Sequence, residues 1–259
     1  MPLNLWARAQ GCYRGSAARW FFRRPFRIDS QLPLISFTFD DFPRSALLTG
    51  GAILKRFGLR ATYYAAFGLM GKQAPPGPIF LLEDIKLLID DGHELGCHTF
   101  GHMHAWKTEL RVFEDSILEN RVALHKSFPG ASFRTLSYPI DRPRPGIKKT
   151  AARHFVCSRS GGQTFNYGTA DLNCLSAYFL EQSRNSPSVV KDLIDQNRKA
   201  RGWLIFATHD VCENPSRFGC TPDFFGNIVQ YAVNSGARIL PVVQAWEALR
   251  GPSRPSRGF

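Results

Sequence analysis

The sequence predicts an α/β protein: a (β/α) barrel of parallel strands with outer helices, distorted from the regular form. Three observations predict it. Short apolar segments alternate with amphipathic ones along the chain, about eight strands in all, which is the pattern of βα units around a parallel sheet. The chain has 259 residues, close to the length such a barrel needs. Ionisable residues recur directly after apolar segments, the place where a (β/α) barrel gathers its chemistry.

The first strand is Ile35-Ser36-Phe37-Thr38-Phe39, residues that suit a buried pleated surface. It runs straight into Asp40 and Asp41 before Phe42-Pro43 breaks it. Residues 45–57 carry apolar side chains at helical spacing and stop at Gly58. Residues 60–67 read as the second strand and 68–78 as a Gly/Pro-rich loop. Residues 80–91 read as an amphipathic helix, with Leu81, Leu82, Ile85, Leu88 and Ile89 on one side and Gly92 at its end. The third strand is 93–98, followed by a long helix over 109–128 with mixed charges outside. The fourth strand, 132–138, is stopped by Pro139. Residues 155–158 and 172–177 are weaker strands, and 187–199 a helix. Residues 203–208 (WLIFAT) are a strongly apolar strand. Residues 222–235 are a helix opened by Pro222, 237–241 the last strand and 242–249 the last helix. No internal repeat or low-complexity tract interrupts this order. The chain divides into a basic aromatic leader (1–33), a barrel (34–249) and a basic tail (250–259).

Charge is concentrated at the ends. The whole chain carries +12, of which residues 1–34 supply +5 and residues 250–259 supply +3. The body is therefore only mildly basic. No nucleic-acid-binding motif is present, and such binding needs its charge on a structured face. The leader mixes its arginines with Trp6, Trp20, Phe21, Phe22 and Phe26, a combination that suits peripheral contact with an anionic membrane surface. The plainer reading is a solvated leader that packs partly on the domain and whose first 25 residues turnover on a small soluble substrate does not need. The leader has no apolar core of the kind an export signal requires, and no run of about 18 apolar residues marks a membrane span. A cytoplasmic, soluble or membrane-peripheral protein is expected. Its six cysteines match no paired zinc-ribbon spacing and are expected as reduced thiols, with a Cys212–Cys220 bridge the less favoured alternative.

Asp40 and Asp41 are two adjacent carboxylates at the end of a buried strand, costly unless something uses them. They either cap the next helix or hold a metal ion and move protons beside it. The third strand ends in His98-Thr99-Phe100-Gly101-His102. Histidines four apart lie on one side of a helical turn, and two neutral imidazoles with one carboxylate leave coordination positions open for water and substrate. His93 and His104 are nearby alternatives. The 203–208 strand ends in His209-Asp210, which makes His209 either a general acid or a rim histidine with a structural hydrogen bond.

In this order, Thr38-Phe39-Asp40-Asp41, His98-Thr99-x-x-His102, Tyr138-Pro139 and Thr208-His209-Asp210 resemble the polysaccharide deacetylases, the family 4 carbohydrate esterases with the nodulation-deacetylase homology domain. The resemblance covers roughly residues 34–249. It implies a distorted TIM-like (β/α) barrel and a divalent metal, Zn2+ above Co2+ or Mn2+. By position it implies Asp40 as catalytic base, Asp41, His98 and His102 as metal ligands, and His209 as general acid. It also implies an oxyanion site at Tyr138-Pro139 with the backbone N–H near Ile140.

The chain departs from the family pattern in two places. Phe42 replaces a frequent glycine, which is expected to narrow the first loop. Ser137 stands where an arginine usually orients the catalytic aspartate. Arg159, after the 155–158 strand, is the candidate replacement, with Arg134 and Arg142 as rivals. Tyr178 and Phe165 are candidates for the acetyl pocket. The resemblance implies removal of acetyl groups from N-acetylated sugars of a polysaccharide, oligosaccharide or glycolipid precursor. The alternatives are O-acetyl ester or other non-peptide C–N hydrolysis on the same barrel, and a non-catalytic glycan-binding barrel.

Overall fold

The computed structural model describes residues 5–251 other than Asp141, with side chains from Gly11 onward. All of the basic tail beyond Gly251 lies outside the described residues. Chain order supplies α1 (Leu5–Trp20), β1 (Pro25–Arg27), β2 (Leu34–Phe39), α2 (Ala52–Arg56), β3 (Thr62–Ala65), β4 (Gln73–Ala74), β5 (Gly77–Pro78), α3 (Leu82–Asp90), β6 (Glu94–Cys97) and α4 (Leu110–Ser127). It continues with β7 (Thr135–Ser137), α5 (Pro145–Ala151), β8 (Cys157–Gly161), β9 (Thr169–Asp171), β10 (Leu175–Phe179), α6 (Pro187–Ala200), β11 (Trp203–Thr208), α7 (Pro222–Asn234), β12 (Arg238–Ile239) and α8 (Val242–Arg250).

Seven parallel strands, β2-β3-β6-β7-β8-β10-β11, close into a ring through the pairing of β11 with β2. β11 pairs along the whole of β2, from Trp203 opposite Leu34 to Thr208 opposite Phe39. The other edge of β2 is shared: β12 takes Leu34 and Ile35, and β3 takes Thr38 and Phe39. The eighth strand of the sheet thus lies beside β2 without entering the ring, which is the distortion the barrel carries.

Both faces of these strands are buried, as parallel sheets require. Every residue of β2 and of β11 is buried. Outward-facing Ile35, Phe37, Phe39, Tyr63, Leu136 and Phe206 pack under the helices. A second cluster joins Leu34, Cys157, Leu175, Trp203 and Ile205 to Ile28, Ala170, Leu172 and Val242. Asn120 on α4 ties the helix to β3 and the turn after it, donating to the Ala65 carbonyl at 2.9 Å and accepting from Phe67 N–H at 2.9 Å.

Several elements differ from the sequence expectation. The 68–78 loop contains the β4–β5 hairpin. The helix expected at 45–57 begins with a wide turn, Ala46–Gly51, before α2. On α3 only Ile85 and Leu88 of the expected apolar stripe are buried, while Leu82 and Ile89 stay exposed. α5, β9 and the leader's structure carry too few periodic residues to be read from sequence. All six cysteines are free thiols. Among the described residues no helix is long and apolar enough to cross a membrane.

The leader forms α1 and β1. β1 pairs antiparallel with β9, and Ala17 and Ala18 of α1 are buried. The fully buried Lys148 of α5 donates to the carbonyls of Ala18 (2.6 Å) and Phe21 (2.8 Å) and pairs with Asp171 at 2.5 Å. Trp20, Phe21 and Phe22 remain exposed. The leader is thus held through small side chains and carbonyl oxygens, and through Phe26 and Ile28 on the second core cluster, rather than through Trp20, Phe21 and Phe22. Lys148→Met leaves Asp171 and two carbonyls without their partner, and we expect it to cost about 3–5 kcal/mol, the scale for breaking a buried ion pair. Denaturant unfolding measures it; a loss under about 1 kcal/mol, the scale of an exposed pair, would show that this anchor is dispensable.

Candidate active site

The site lies at the carboxyl ends of the strands. β2 is extended by a bond from Asp40 N–H to the Thr208 carbonyl at 2.9 Å. The backbone then turns left-handed at Asp41 (φ 59°) and Phe42 (φ 54°). That turn breaks strand alternation and lets consecutive carboxylates reach different partners across the same rim. Thr99 (φ 57°), His102 (φ 52°) and Ile140 (φ 68°) are also left-handed. Non-glycine residues in this region each cost about 1–3 kcal/mol, and such strain clusters at functional sites. Phe42 does not narrow the first loop as expected. Its ring is fully buried and packs on Tyr63 and Phe80, each at 5.0 Å.

Asp41, His98 and His102 form one cluster, with a ligand atom from each lying within 4.8 Å of the others. Asp41 Oδ1 is 3.0 Å from His102 Nε2 and 3.5 Å from His98 Nε2. His98 Nδ1 is 2.9 Å from the Ser137 carbonyl. That carbonyl can only accept, so Nδ1 carries the proton and the Nε2 lone pair faces the cluster. Burial pushes the His98 imidazole down to about 4, against the pull of Asp40, so the ring is neutral at pH 7. Burial raises the Asp41 carboxyl, but the hydrogen bond from His102 and the charge of both histidines take it below its ordinary value. The set is therefore one ionised carboxylate and at least one neutral imidazole of fixed tautomer, which fits a divalent cation.

Asp40 points the other way. Its Oδ1 accepts from Arg159 Nη2 in a fully buried ion pair. The guanidinium carbon lies 4.7 Å from the Tyr64 ring and 5.9 Å from the Phe179 ring. Burial raises the Asp40 carboxyl; Arg159 above all, with His98 and His209, brings it below its ordinary value. Asp40 is thus held ionised without a direct bond to the Asp41 cluster. The rival arginines are elsewhere: Arg134 pairs with Glu247, and Arg142 lies beside Gly15 of α1.

His209 Nδ1 is 3.3 Å from the Phe218 carbonyl, and its ring lies between Phe218 and Phe179 at 5.3 and 6.3 Å. Asp210 builds the loop that carries Phe218, accepting from Ser216 N–H at 2.7 Å and Ser216 Oγ at 2.6 Å. Ile140 is exposed, and the Pro139 carbonyl accepts from Ala105 N–H at 3.3 Å, joining the two loops that follow β6 and β7. Tyr138 supports the fold through its side chain: its ring is buried and its hydroxyl donates to the Asn173 carbonyl at 3.0 Å. Neither acetyl-pocket candidate meets this site. Tyr178 is buried with its hydroxyl on Ser183 Oγ at 2.5 Å, and Phe165 packs over Gly202. His93 accepts from Ala61 N–H and His104 from Trp106 N–H, both through Nδ1.

Sequence reading missed Tyr64, Phe179 and Glu181. Tyr64 sits on the inward phase of its strand. Phe179 and Glu181 lie past Ala177, where that reading ended the strand. Glu181 Oε2 is buried without a hydrogen-bond partner. Burial first, then the Asp40 charge, pushes this carboxyl from 4.5 up to about 8, against Arg184 and Arg159. A raised folded-state pKa means stability that is complete below the unfolded value and is lost as pH rises through the folded value. The melting temperature of metal-stripped protein is therefore expected to fall between pH 5 and pH 8, and Glu181→Gln to remove most of that fall. An equal fall in the variant contradicts this assignment.

A family model described as polysaccharide deacetylase matches residues 28–154, which contain Asp40, Asp41, His98, His102 and residues 138–140 but not Arg159 or His209. A gellan lyase from Bacillus sp is 24% identical over 204 residues, 72% of this chain and 8% of that protein. The chain therefore spans under a tenth of that relative's length. A family 4 acetyl xylan esterase from Clostridium thermocellum, solved with a cobalt ion, superposes with a TM-score of 0.55 at 18% identity, covering 86% of this chain and 95% of that one. A family 4 pseudoenzyme from Bacillus anthracis gives 0.60 at 12% identity, covering 85% and 67%. These solved structures share the barrel, and residues 28–154, just under half of the chain, are similar to the polysaccharide deacetylase family.

Proposed function

We propose that this chain is a metal-dependent deacetylase that removes acetyl groups from N-acetylated sugars of a glycan or glycolipid precursor. The observation that carries the reading is the pairing of two separate devices at one rim: a carboxylate–imidazole cluster suited to a cation, and beside it an ionised carboxylate held by a buried arginine. Asp41, His98 and His102 would hold the ion, Zn2+ by donor type, with Co2+ or Mn2+ compatible. Such an ion polarises an acyl oxygen and acidifies water. Asp40, kept ionised by Arg159, takes the proton of the attacking water. His209, whose Nδ1 is occupied by the Phe218 carbonyl, has Nε2 left to protonate the departing amine. The left-handed turn at Ile140 presents a backbone N–H as a donor to the oxyanion.

The esterase name of one structural neighbour keeps O-acetyl groups as the second substrate class, and the pseudoenzyme keeps a non-catalytic glycan-binding barrel as the third. Acetate release separates them when measured on chitin oligomers, acetylated xylan and an acetylated lipid-linked precursor. Release from N-acetyl substrates is the expected result. Release from xylan alone points to esterase activity, and release from none of them with metal bound contradicts catalysis.

A further inference from the structure

A cleft of about 1220 Å³ lies between α1 and the flank of the barrel at β8 and β10. It exceeds the size of an ordinary small-molecule pocket. Gly161, the last residue of β8, and Gly162 after it line the cleft, two and three residues past Arg159. α1 touches two of the loops that follow barrel strands. Tyr13 packs edge-on against Trp106 at 5.9 Å, and Arg14 lies 5.4 Å from the same ring. Trp106 is in the loop that carries His102. A Cβ on Gly15 would come within 3.0 Å of Arg142 Nη1, in the loop after β7. The family match begins at residue 28, so the wall that α1 supplies is not part of the matched segment.

The chemistry of the cleft is specific. Arg19 and Arg23 come from the leader and Arg142 from the loop after β7, and the acid among its lining residues is Asp171, already held by Lys148. Trp20 and Tyr167 border it as exposed rings, each 62% accessible. The hydroxyls of Ser16, Thr164, Thr169 and Ser176 and several glycines share the lining with Ala18, Phe165 and Ala170. An acyl chain needs apolar walls; sugar hydroxyls and ring faces need polar floors with aromatic edges. The three guanidinium groups come from separate segments of the chain, an arrangement that suits carboxylates repeated along a chain better than one compact anion.

We propose that this cleft binds a carboxylate-bearing polysaccharide, the uronate-containing extension of the glycan whose acetyl group enters the barrel mouth. This rests on the deacetylase reading for the nature of the glycan. The test is a calorimetric titration of the full chain with four probes: a hexasaccharide alternating N-acetylglucosamine and glucuronate, a neutral chitin hexamer, inorganic phosphate, and vesicles containing phosphatidylserine. The expected result is at least roughly tenfold tighter binding of the acidic hexamer than of the neutral one, the scale of a few charge-assisted hydrogen bonds. That advantage should vanish in 0.5 M salt and in the double variant Arg19→Glu, Arg23→Glu, whose unchanged melting temperature shows it is folded. Equal affinity for the two hexamers, or an unaffected double variant, overturns the proposal. So does phosphate that competes as strongly as the hexamer, or vesicle binding that replaces glycan binding. The titration reads affinity and not turnover. Acetate release from no substrate, with this binding pattern intact, therefore contradicts the catalytic reading while supporting the cleft.

Discussion

Asp40→Asn is expected to lower turnover by about 10²–10⁴-fold, the range for losing a positioned general base, and at the same time to destabilise the fold. The two effects have separate causes. Asparagine cannot accept the water's proton. It also leaves Arg159, 1% accessible at its side chain, as a buried cation without its counter-charge, a loss of about 3–5 kcal/mol. Adding Arg159→Met to Asp40→Asn should recover part of the stability, since removing both members of a buried pair costs less than removing one. It should recover no turnover. Steady-state kinetics and denaturant unfolding on the two single variants and the double variant measure the coupling. Additive stability losses would mean that the ion pair does not hold Asp40.

Arg159→Lys is the second large effect, and it discriminates between charge and geometry. The substitution keeps the positive charge on β8. It removes the planar group that lies against Tyr64 and Phe179 while bonding Asp40. An ammonium neither stacks flat on two rings nor directs a fork of donors. Turnover is expected to fall roughly tenfold or more, the scale of a misplaced contact, with bound metal unchanged because Asp41, His98 and His102 are not touched. A drop in metal content would mean that Arg159 acts on the Asp41 cluster. Normal turnover would leave Asp40 oriented by something else.

The legible parts of this chain are those in which a strand's pattern and its chemistry are contiguous. β2 and β11 announce themselves as unbroken apolar runs, and Asp40, Asp41 and His209 follow them directly. His98 and His102 are legible from their spacing of four at the end of the third strand. Arg159 is one of three candidates that the family resemblance raises, because its usual arginine is absent at Ser137, and the structure sets the Arg159 guanidinium on Asp40. Ser137 itself has a use that its residue type could not announce, because it is the main-chain carbonyl that orients His98. Phe42 misled because a residue's size suggests blockage, whereas a left-handed turn sends its ring into the outer core. The leader's attachment was illegible. It depends on carbonyl oxygens of Ala18 and Phe21 meeting a buried lysine about 130 residues away, and main-chain acceptors leave no trace in side-chain pattern.

The central claim is that one ion, held by Asp41, His98 and His102, works with Asp40 to remove acetyl groups. Metal content and acetate release, measured together on the chelator-stripped chain as Zn2+ is titrated back, test it most directly. The expected result is activity that rises with occupancy to one ion per chain, with His98→Ala and His102→Ala each losing both. Full occupancy in those variants, or acetate release that does not change with metal, would contradict it.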